Sequence, residues 1–151
     1  MTWQERQKDL AERYGLYASF PSDTDPEVEY YGESPAVEVA RLLDIHARED
    51  TRFLDIGCGA GGTIAALARR VAEAWGVDMT PALLEGARAR AREEGLTNTH
   101  WVLGDTTRPE TAAHLPPQHF TLALSQRGPN VNAALAASLA PGAVVIQELV
   151  G

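Results

Sequence analysis

Five short groups of residues in this chain have the types and spacing to handle a polar ligand. Asp55-Ile-Gly57-Cys58-Gly59-Ala-Gly61-Gly62 is the densest of them. Glycines at 57, 59 and 61–62 let the backbone turn sharply and approach a ligand with no Cβ in the way. A helix starting directly afterwards would offer free N–H groups and a partial positive charge to an anionic group. Asp78 lies 21 residues beyond Gly57, where an acidic side chain can accept hydrogen bonds from ribose hydroxyls. Gly104-Asp105-Thr106, Ser125-Gln126-Arg127 and Gln147-Glu148 complete the set.

Gly57, Gly59 and Gly62 also satisfy G-x-G-x-x-G, so the loop alone is compatible with a nicotinamide or flavin cofactor. Asp55 argues against one. Its carboxylate would stand close to a dinucleotide's pyrophosphate, where like charges repel, and it suits a ligand bearing an ammonium group instead. Asp105 adds a third acid, placed for an adenine amino group. Three acids around a glycine loop describe a ligand with a ribose, an adenine and a cationic amine but no phosphate. That ligand is S-adenosylmethionine.

The elements that must position these residues can be read from patterning. From Thr51 onward, strand and helix patterns alternate. Arg52–Ile56 is a β-rich run ending in the glycines, and Thr63–Ala74 follows as a helix with Ile64, Leu67, Ala68 and Val71 on one face. Trp75–Met79 is the second strand; Thr80-Pro81 caps the next helix, which Gly95 stops. Asn98–Leu103, Phe120–Leu124 and Ala143–Leu149 are the third to fifth strands. The Ala/Leu-rich stretch Asn130–Ala140 is a helix between the last two, ended by Pro141-Gly142. Such alternation implies a parallel sheet with helices on both faces, wound by right-handed crossovers. Ligands of such sheets bind beyond the carboxyl ends of the strands, where all five groups fall.

The first third differs in style. Trp3, Leu10, Tyr14 and Tyr17 recur at helical spacing, residues 21–33 read as an irregular loop, and Ser34-Pro35 restarts a helix whose buried face continues through Ala36, Ala40 and Leu43. Residues 1–33 are therefore expected to form a helix and loop belonging to the same domain, whose main part runs over 34–151.

Composition narrows the class. The chain has 151 residues, 44% hydrophobic and 23% charged, which suits one globular domain and excludes disorder, collagen and coiled coil. Apolar runs are too short for a membrane span, and a soluble cytoplasmic protein is expected. One cysteine excludes an internal disulfide framework and any multi-cysteine zinc site, and the spacing gives no metal cluster. Residues 1–50 hold 12 acidic against 5 basic side chains, most of the overall net charge of -8. That acidic segment repels phosphate backbones and counts against nucleic acid as the main partner. Arg88, Arg90 and Arg92 are read as a solvated helix face.

FLDIGCGAGG at 53–62 closely resembles the E/D-x-G-x-G-x-G loop of class I S-adenosylmethionine-dependent methyltransferases. GVDMTPALL at 76–84 resembles their second-strand acidic segment, and GDT at 104–106 their third. The resemblance covers about 45–151 and implies a Rossmann-like fold, a three-layer α/β sandwich with strand order 3-2-1-4-5, with S-adenosylmethionine as cofactor and S-adenosylhomocysteine as product. Segments ahead of the first strand in that family fold over the cofactor, so the helix and loop of residues 1–33 are expected to act as a lid. By position it implies that Asp55, Gly57, Cys58, Gly59 and Gly61 hold the methionine portion. Asp78 would bind the ribose hydroxyls and Met79 would pack on the adenine. Asp105 would bond the adenine amino group with Thr106 beside the ring, and Ser125 or Gln126 would lie under the methionine amine.

Two departures qualify it. The Asn/Asp-Pro-Pro-aromatic segment of family members that methylate adenine or glutamine nitrogen is replaced by Ser125-Gln-Arg-Gly-Pro129. The family sheet also continues past the fifth strand, whereas this chain stops at Gly151, so those elements are expected to be missing, supplied by a partner or cut off, a naturally shortened protein being favoured over a fragment that needs further strands.

Cys58 is read as a small buried loop residue rather than a nucleophile. His100 and His119 precede strands three and four and are read as surface residues opposite the cofactor, while His46 and His114 are weak candidates for a base. Tyr30, Tyr31 and Arg127 are candidates for touching the acceptor, Arg127 alternatively pairing with Glu148. No catalytic side chain is assigned. The expected activity is methyl transfer to an unidentified acceptor, a small molecule being favoured, with nucleic acid or protein left open. The alternatives are a non-catalytic cofactor-binding module that pairs through the exposed fifth strand, AVVIQEL, as in a homodimer, and a nicotinamide-dependent oxidoreductase.

Overall fold

Arg52–Ile56 forms β1, with the boundaries the sequence predicts, and its Phe53, Leu54 and Ile56 are fully buried. Both neighbours of this strand are parallel, so it lies at the centre of a sheet and reads as a nearly continuous apolar run. The computed structural model describes residues 35–126 and 131–148. The chain divides into two compact units, Met1–Ile45 and His46–Gly151. In the first, helix α1 spans Pro35–His46, opening on the proline as expected, with Ala40 and Leu43 buried. The readings made for residues 1–34, including Tyr14, Tyr17, Tyr30 and Tyr31, lie outside the described residues, as does Arg127.

The second unit follows the alternating pattern. After β1 come α2 (Gly62–Leu67), β2 (Glu73–Asp78), α3 (Pro81–Glu93), β3 (Thr99–Leu103), α4 (Pro109–Ala112), β4 (Phe120–Ser125), α5 (Ala133–Ala136) and β5 (Leu139–Gln147). The strands make a five-stranded parallel sheet in the order β3-β2-β1-β4-β5, as predicted, and the architecture is the three-layer Rossmann-like sandwich. Leu54, Ile56, Val77, Ala123 and Phe120 pack with Leu115 and with Leu135 of α5 into one core cluster, each large side chain contributing roughly 1.5–3 kcal/mol by burial. Alternation sends Phe53 and Asp55 to the opposite face from Leu54 and Ile56. Among the described residues no helix is long and apolar enough to cross a membrane.

Several boundaries depart from the sequence reading, the largest because of partners distant in sequence. The helix expected over Thr63–Ala74 ends at Leu67, passes through a 3-10 turn over Ala68–Arg70, and gives way to β2 at Glu73 rather than Trp75. The Asn98 amide donates to the carbonyls of Ala68, Val71 and Ala72, taking over the oxygens a longer helix would have used. Ala72 and Glu73 then turn their N–H groups to the Thr51 carbonyl.

The helix expected over Asn130–Ala140 is only the single turn Ala133–Ala136, capped by Asn132 Oδ1 on the Leu135 N–H at 2.9 Å. The Ser138 carbonyl accepts from the N–H groups of His119 and Phe120, which draws the chain into the sheet at Leu139. Pro141-Gly142 therefore does not stop a helix. It occupies the irregular stretch between the pairs Phe120↔Leu139 and Leu122↔Val144, with Gly142 at φ 77°. The short α4 carried too little periodicity to be expected at all.

His100 is exposed, as the sequence reading expects, whereas His119 is only partly so. His100 lies within β3 and stacks on Trp75 with ring centroids 4.5 Å apart. His119 is half-buried, pairs with Glu73, and packs edge-on against Trp75 and Phe120. The Glu73 carboxylate also accepts from the Trp75 indole at 2.8 Å. These side chains form a cluster at the amino ends of the strands, with His100 on its exposed side. Arg88, Arg90 and Arg92 are exposed, and Arg90 pairs with Glu94 at 3.2 Å, in keeping with a solvated helix face.

Candidate functional site

The loop leaving β1 is held to the end of β2 at several points. Gly57 and Cys58 both donate their N–H groups to the Val77 carbonyl, at 2.8 and 2.9 Å. Gly59 donates to Asp78 Oδ2 at 2.9 Å, and the other oxygen, Oδ1, accepts from the Thr80 N–H at 2.9 Å. Gly57, Gly59 and Gly61 take φ values of 77°, 55° and 78°, the left-handed region that admits glycine readily. A Cβ at Gly57 or Gly59 would meet no heavy atom within 4 Å, so both positions border open space. At Gly61 it would lie 2.8 Å from the Trp101 ring, because the start of α2 is pressed against β3 and α3 there. The helix that follows the loop is six residues long, shorter than the sequence suggested.

Asp55 and Asp78 set the electrostatics. In register, Asp55 stands between Gly76 and Leu124, neither of which offers a polar side chain. Burial raises its pKa to about 7, and the charge of Asp78 adds to the shift. Burial likewise pushes the Cys58 thiol up, with Asp55 and then Asp78 reinforcing it, so the thiolate a nucleophile requires is disfavoured.

Asp105 is placed by the end of β3. The Gly104 N–H donates to the Asp78 carbonyl at 2.9 Å and ties the ends of β2 and β3 together. Asp105 Oδ1 accepts from the Thr107 hydroxyl at 2.6 Å and from its N–H at 2.9 Å, while Oδ2 lies 3.6 Å from Arg108. The two bonds from Thr107 hold its carboxyl below the usual range, with Arg108 assisting. A cavity of about 170 Å³ opens here, lined by Gly57, Asp78, Met79, Gly104, Asp105, Thr106 and Thr107. The structure thus brings Gly57, Asp78, Met79, Asp105 and Thr106 together, with Met79 67% exposed. Thr107 was missed; the Asp-x-Thr spacing, a side chain bonding the backbone two residues on, was the available signal.

Asp55, Cys58, Gly59, Gly61, Ser125 and Gln126 do not line that cavity. Asp55 and Ser125 are buried in β1 and β4, Ser125 paired in register with Ile56. The Glu148 N–H donates to the Ser125 carbonyl at 3.0 Å, and Gln147 Oε1 accepts from the Val131 N–H at 3.2 Å. Gln126 Nε2 and Glu148 Oε2 are buried without a hydrogen-bond partner. Among the described residues no group of three or more His, Cys, Asp or Glu could hold a metal ion.

The geometry fits a nucleoside bearing a cation. Open space lies beside Gly57 and Gly59, each Asp78 oxygen keeps a lone pair beyond its backbone bond, and the fixed acids repel phosphate. Known proteins agree. The protein-L-isoaspartate O-methyltransferase of Anaeromyxobacter dehalogenans is 39% identical over 94 residues, 60% of this chain and 43% of that protein. The 23S rRNA (uracil(1939)-C(5))-methyltransferase RlmD of Pseudomonas aeruginosa is 40% identical over 75 residues, 50% of this chain and 17% of that protein. The chain therefore spans less than half the length of these curated relatives. Among solved structures, YcgJ of Bacillus subtilis superposes with a TM-score of 0.55 and 29% identity over 68% of this chain and 45% of that one. An S-adenosylmethionine-dependent methyltransferase from Thiobacillus denitrificans, solved with S-adenosyl-L-homocysteine, shares the fold with a TM-score of 0.59 at 21% identity, covering 85% of this chain and 55% of that one. A family model described as a methyltransferase domain matches residues 53–140, and to that family the chain belongs.

Proposed function

We propose that the chain transfers the methyl group of S-adenosylmethionine to a nucleophilic atom of a small molecule. One observation carries the reading: a buried acid, Asp55, and a second one, Asp78, flank a glycine loop that borders open space. That layout repels phosphate and attracts an ammonium group. Asp55 and the backbone from Gly57 to Gly61, Cys58 included, hold the methionine portion, and Asp78 accepts the ribose hydroxyls. Met79 and Thr106 flank the adenine, with Asp105 receiving its amino group. Ser125 or Gln126 lies under the methionine amine, from the neighbouring strand end. Tyr30, Tyr31 and Arg127 remain candidates for contact with the acceptor.

The sulfonium of the cofactor supplies an already electrophilic methyl group. The chain's own task is then to align the acceptor in line with the carbon–sulfur bond and to exclude water. No general base is required of it when the acceptor is already nucleophilic. A small-molecule acceptor is favoured by the acidic first third of the sequence, which repels a phosphate backbone.

Calorimetry with S-adenosylmethionine and S-adenosylhomocysteine, using Asp78→Ala as control, tests the cofactor. We expect binding that the substitution weakens by at least about tenfold, the effect of losing a charged hydrogen-bond acceptor. Absence of binding to the intact chain overturns the reading. Transfer of labelled methyl to RNA, with none to a small-molecule panel, would replace the acceptor class.

A further inference from the structure

The carboxylate of Asp105, at the wall of the cavity, is used unevenly. Its Oδ1 accepts from the Thr107 hydroxyl at 2.6 Å and from the Thr107 N–H at 2.9 Å. A carboxylate oxygen offers two lone pairs, so these bonds fill Oδ1. Oδ2 faces the Arg108 guanidinium at 3.6 Å, too long for a hydrogen bond, and that side chain is 74% exposed. Asp105 therefore keeps one oxygen with lone pairs to give.

The backbone beneath it is fixed from several sides. The Asp105 carbonyl accepts from the Thr111 hydroxyl at 2.6 Å and from the Arg108 N–H at 3.0 Å. The Thr106 carbonyl accepts from Asn132 Nδ2 at 2.9 Å, and a Cβ at Gly104 would lie 2.6 Å from the Thr111 side chain. What such a loop leaves free is rotation of the Asp105 side chain, and Thr107 removes that freedom. Thr107 is exposed and lines the cavity, so its hydroxyl is spent on aiming Asp105 and not on holding the core.

We propose that Thr107 is a positioning residue for the base of the cofactor: by filling Oδ1 it presents Oδ2 of Asp105 as the one acceptor, and the site selects a 6-aminopurine nucleoside over its 6-oxo counterpart. The inference rests on the reading above that sets the adenine amino group against Asp105, and it adds the residue that makes this acid selective. An amino group donates to Oδ2. A 6-oxo group sets lone pairs against lone pairs and leaves Oδ2 unmet. Without the Thr107 hydroxyl the carboxylate turns, and its ordering is left to the binding event.

The test is calorimetric titration of the full chain with S-adenosylhomocysteine and with S-inosylhomocysteine, the same molecule with oxygen in place of the amino group. The intact chain is expected to bind the adenosyl compound at least about tenfold more tightly. Thr107→Val, which keeps the shape and loses the hydroxyl, should weaken the adenosyl compound about fivefold and change the inosyl compound less than about twofold. Thr107→Ser should restore the preference, and Thr107→Ala should repeat the loss without the branched side chain. Equal affinity of the intact chain for the two compounds overturns the proposal. So does a preference left whole in the valine and alanine variants, or a parallel loss of both ligands, which is what a merely structural role would give. An intact chain that takes up neither compound overturns the methyl-transfer reading instead.

Discussion

The backbone N–H of Gly59 donates to the carboxylate of Asp78 at 2.9 Å, so the loop after β1 is fastened to the last residue of β2 before any ligand arrives. The second carboxylate oxygen is engaged by the Thr80 N–H, at the start of α3. One side chain thus fixes two backbone segments and still presents lone pairs outward. Asp78→Ala should lower stability by roughly 1–3 kcal/mol, because it leaves the two N–H groups without their acceptor. Asp78→Asn, which keeps one acceptor oxygen, should lose less. Urea denaturation of the three proteins checks the order; equal midpoints would mean that the loop holds its shape without the clamp.

Asp55 should make stability fall as pH rises. Its carboxyl moves from an ordinary value near 3.8 to about 7 on folding, so between these values the folded chain carries a proton that the unfolded chain has released. Stability is then highest below the lower value, declines across the window and is flat above it, the full span being of order 4 kcal/mol. Asp55→Asn should remove that slope in a series of thermal melts. A cation bound beside Asp55 should in turn expel the proton, so affinity for S-adenosylmethionine should increase from about pH 6 to about pH 8. Calorimetry in buffers of different ionisation enthalpy would register the proton release.

Gly61→Ala should destabilise the fold by roughly 2–4 kcal/mol. The residue holds φ 78°, and a Cβ would lie 2.8 Å from the Trp101 ring and 3.0 Å from the Ala87 Cβ. Gly86 provides the contrast, since it lies inside α3 with nothing within 4 Å of a Cβ. Gly86→Ala should therefore be neutral or stabilising by up to about 1 kcal/mol, through the unfolded state. Denaturant midpoints of the two variants should move in opposite directions.

What could be read from the sequence was decided by how local the controlling interaction is. β1 was legible because Phe53, Leu54 and Ile56 form an apolar run ending in glycines, and the parallel sheet followed from alternation, while the strand order came with the family resemblance. Asp55, Asp78 and Asp105 could be placed from the sequence because each lies at the carboxyl end of a strand or just past it. The end of α2 was not, because Asn98, some thirty residues away, supplies the amide that claims its last carbonyls. The start of β5 was hidden in the same way: Ser138 is drawn into the sheet by the N–H groups of His119 and Phe120, while Ala and Leu around it favour a helix. The unpartnered ends of Gln126 and Glu148 are a property of packing, invisible to any pattern along the chain.

Asn132 does more than cap a turn. Its Oδ1 receives the Leu135 N–H while its Nδ2 donates to the Thr106 carbonyl at 2.9 Å, so one amide bridges the crossover into β5 and the wall of the cavity. Leu135 is in turn rooted among Leu54, Ile56 and Phe120. The turn Ala133–Ala136 and the cavity wall are therefore tied to each other through one side chain, and the turn is rooted in the core. Substitutions at Leu135, which lines no part of the cavity, are expected to reach its wall through that bridge.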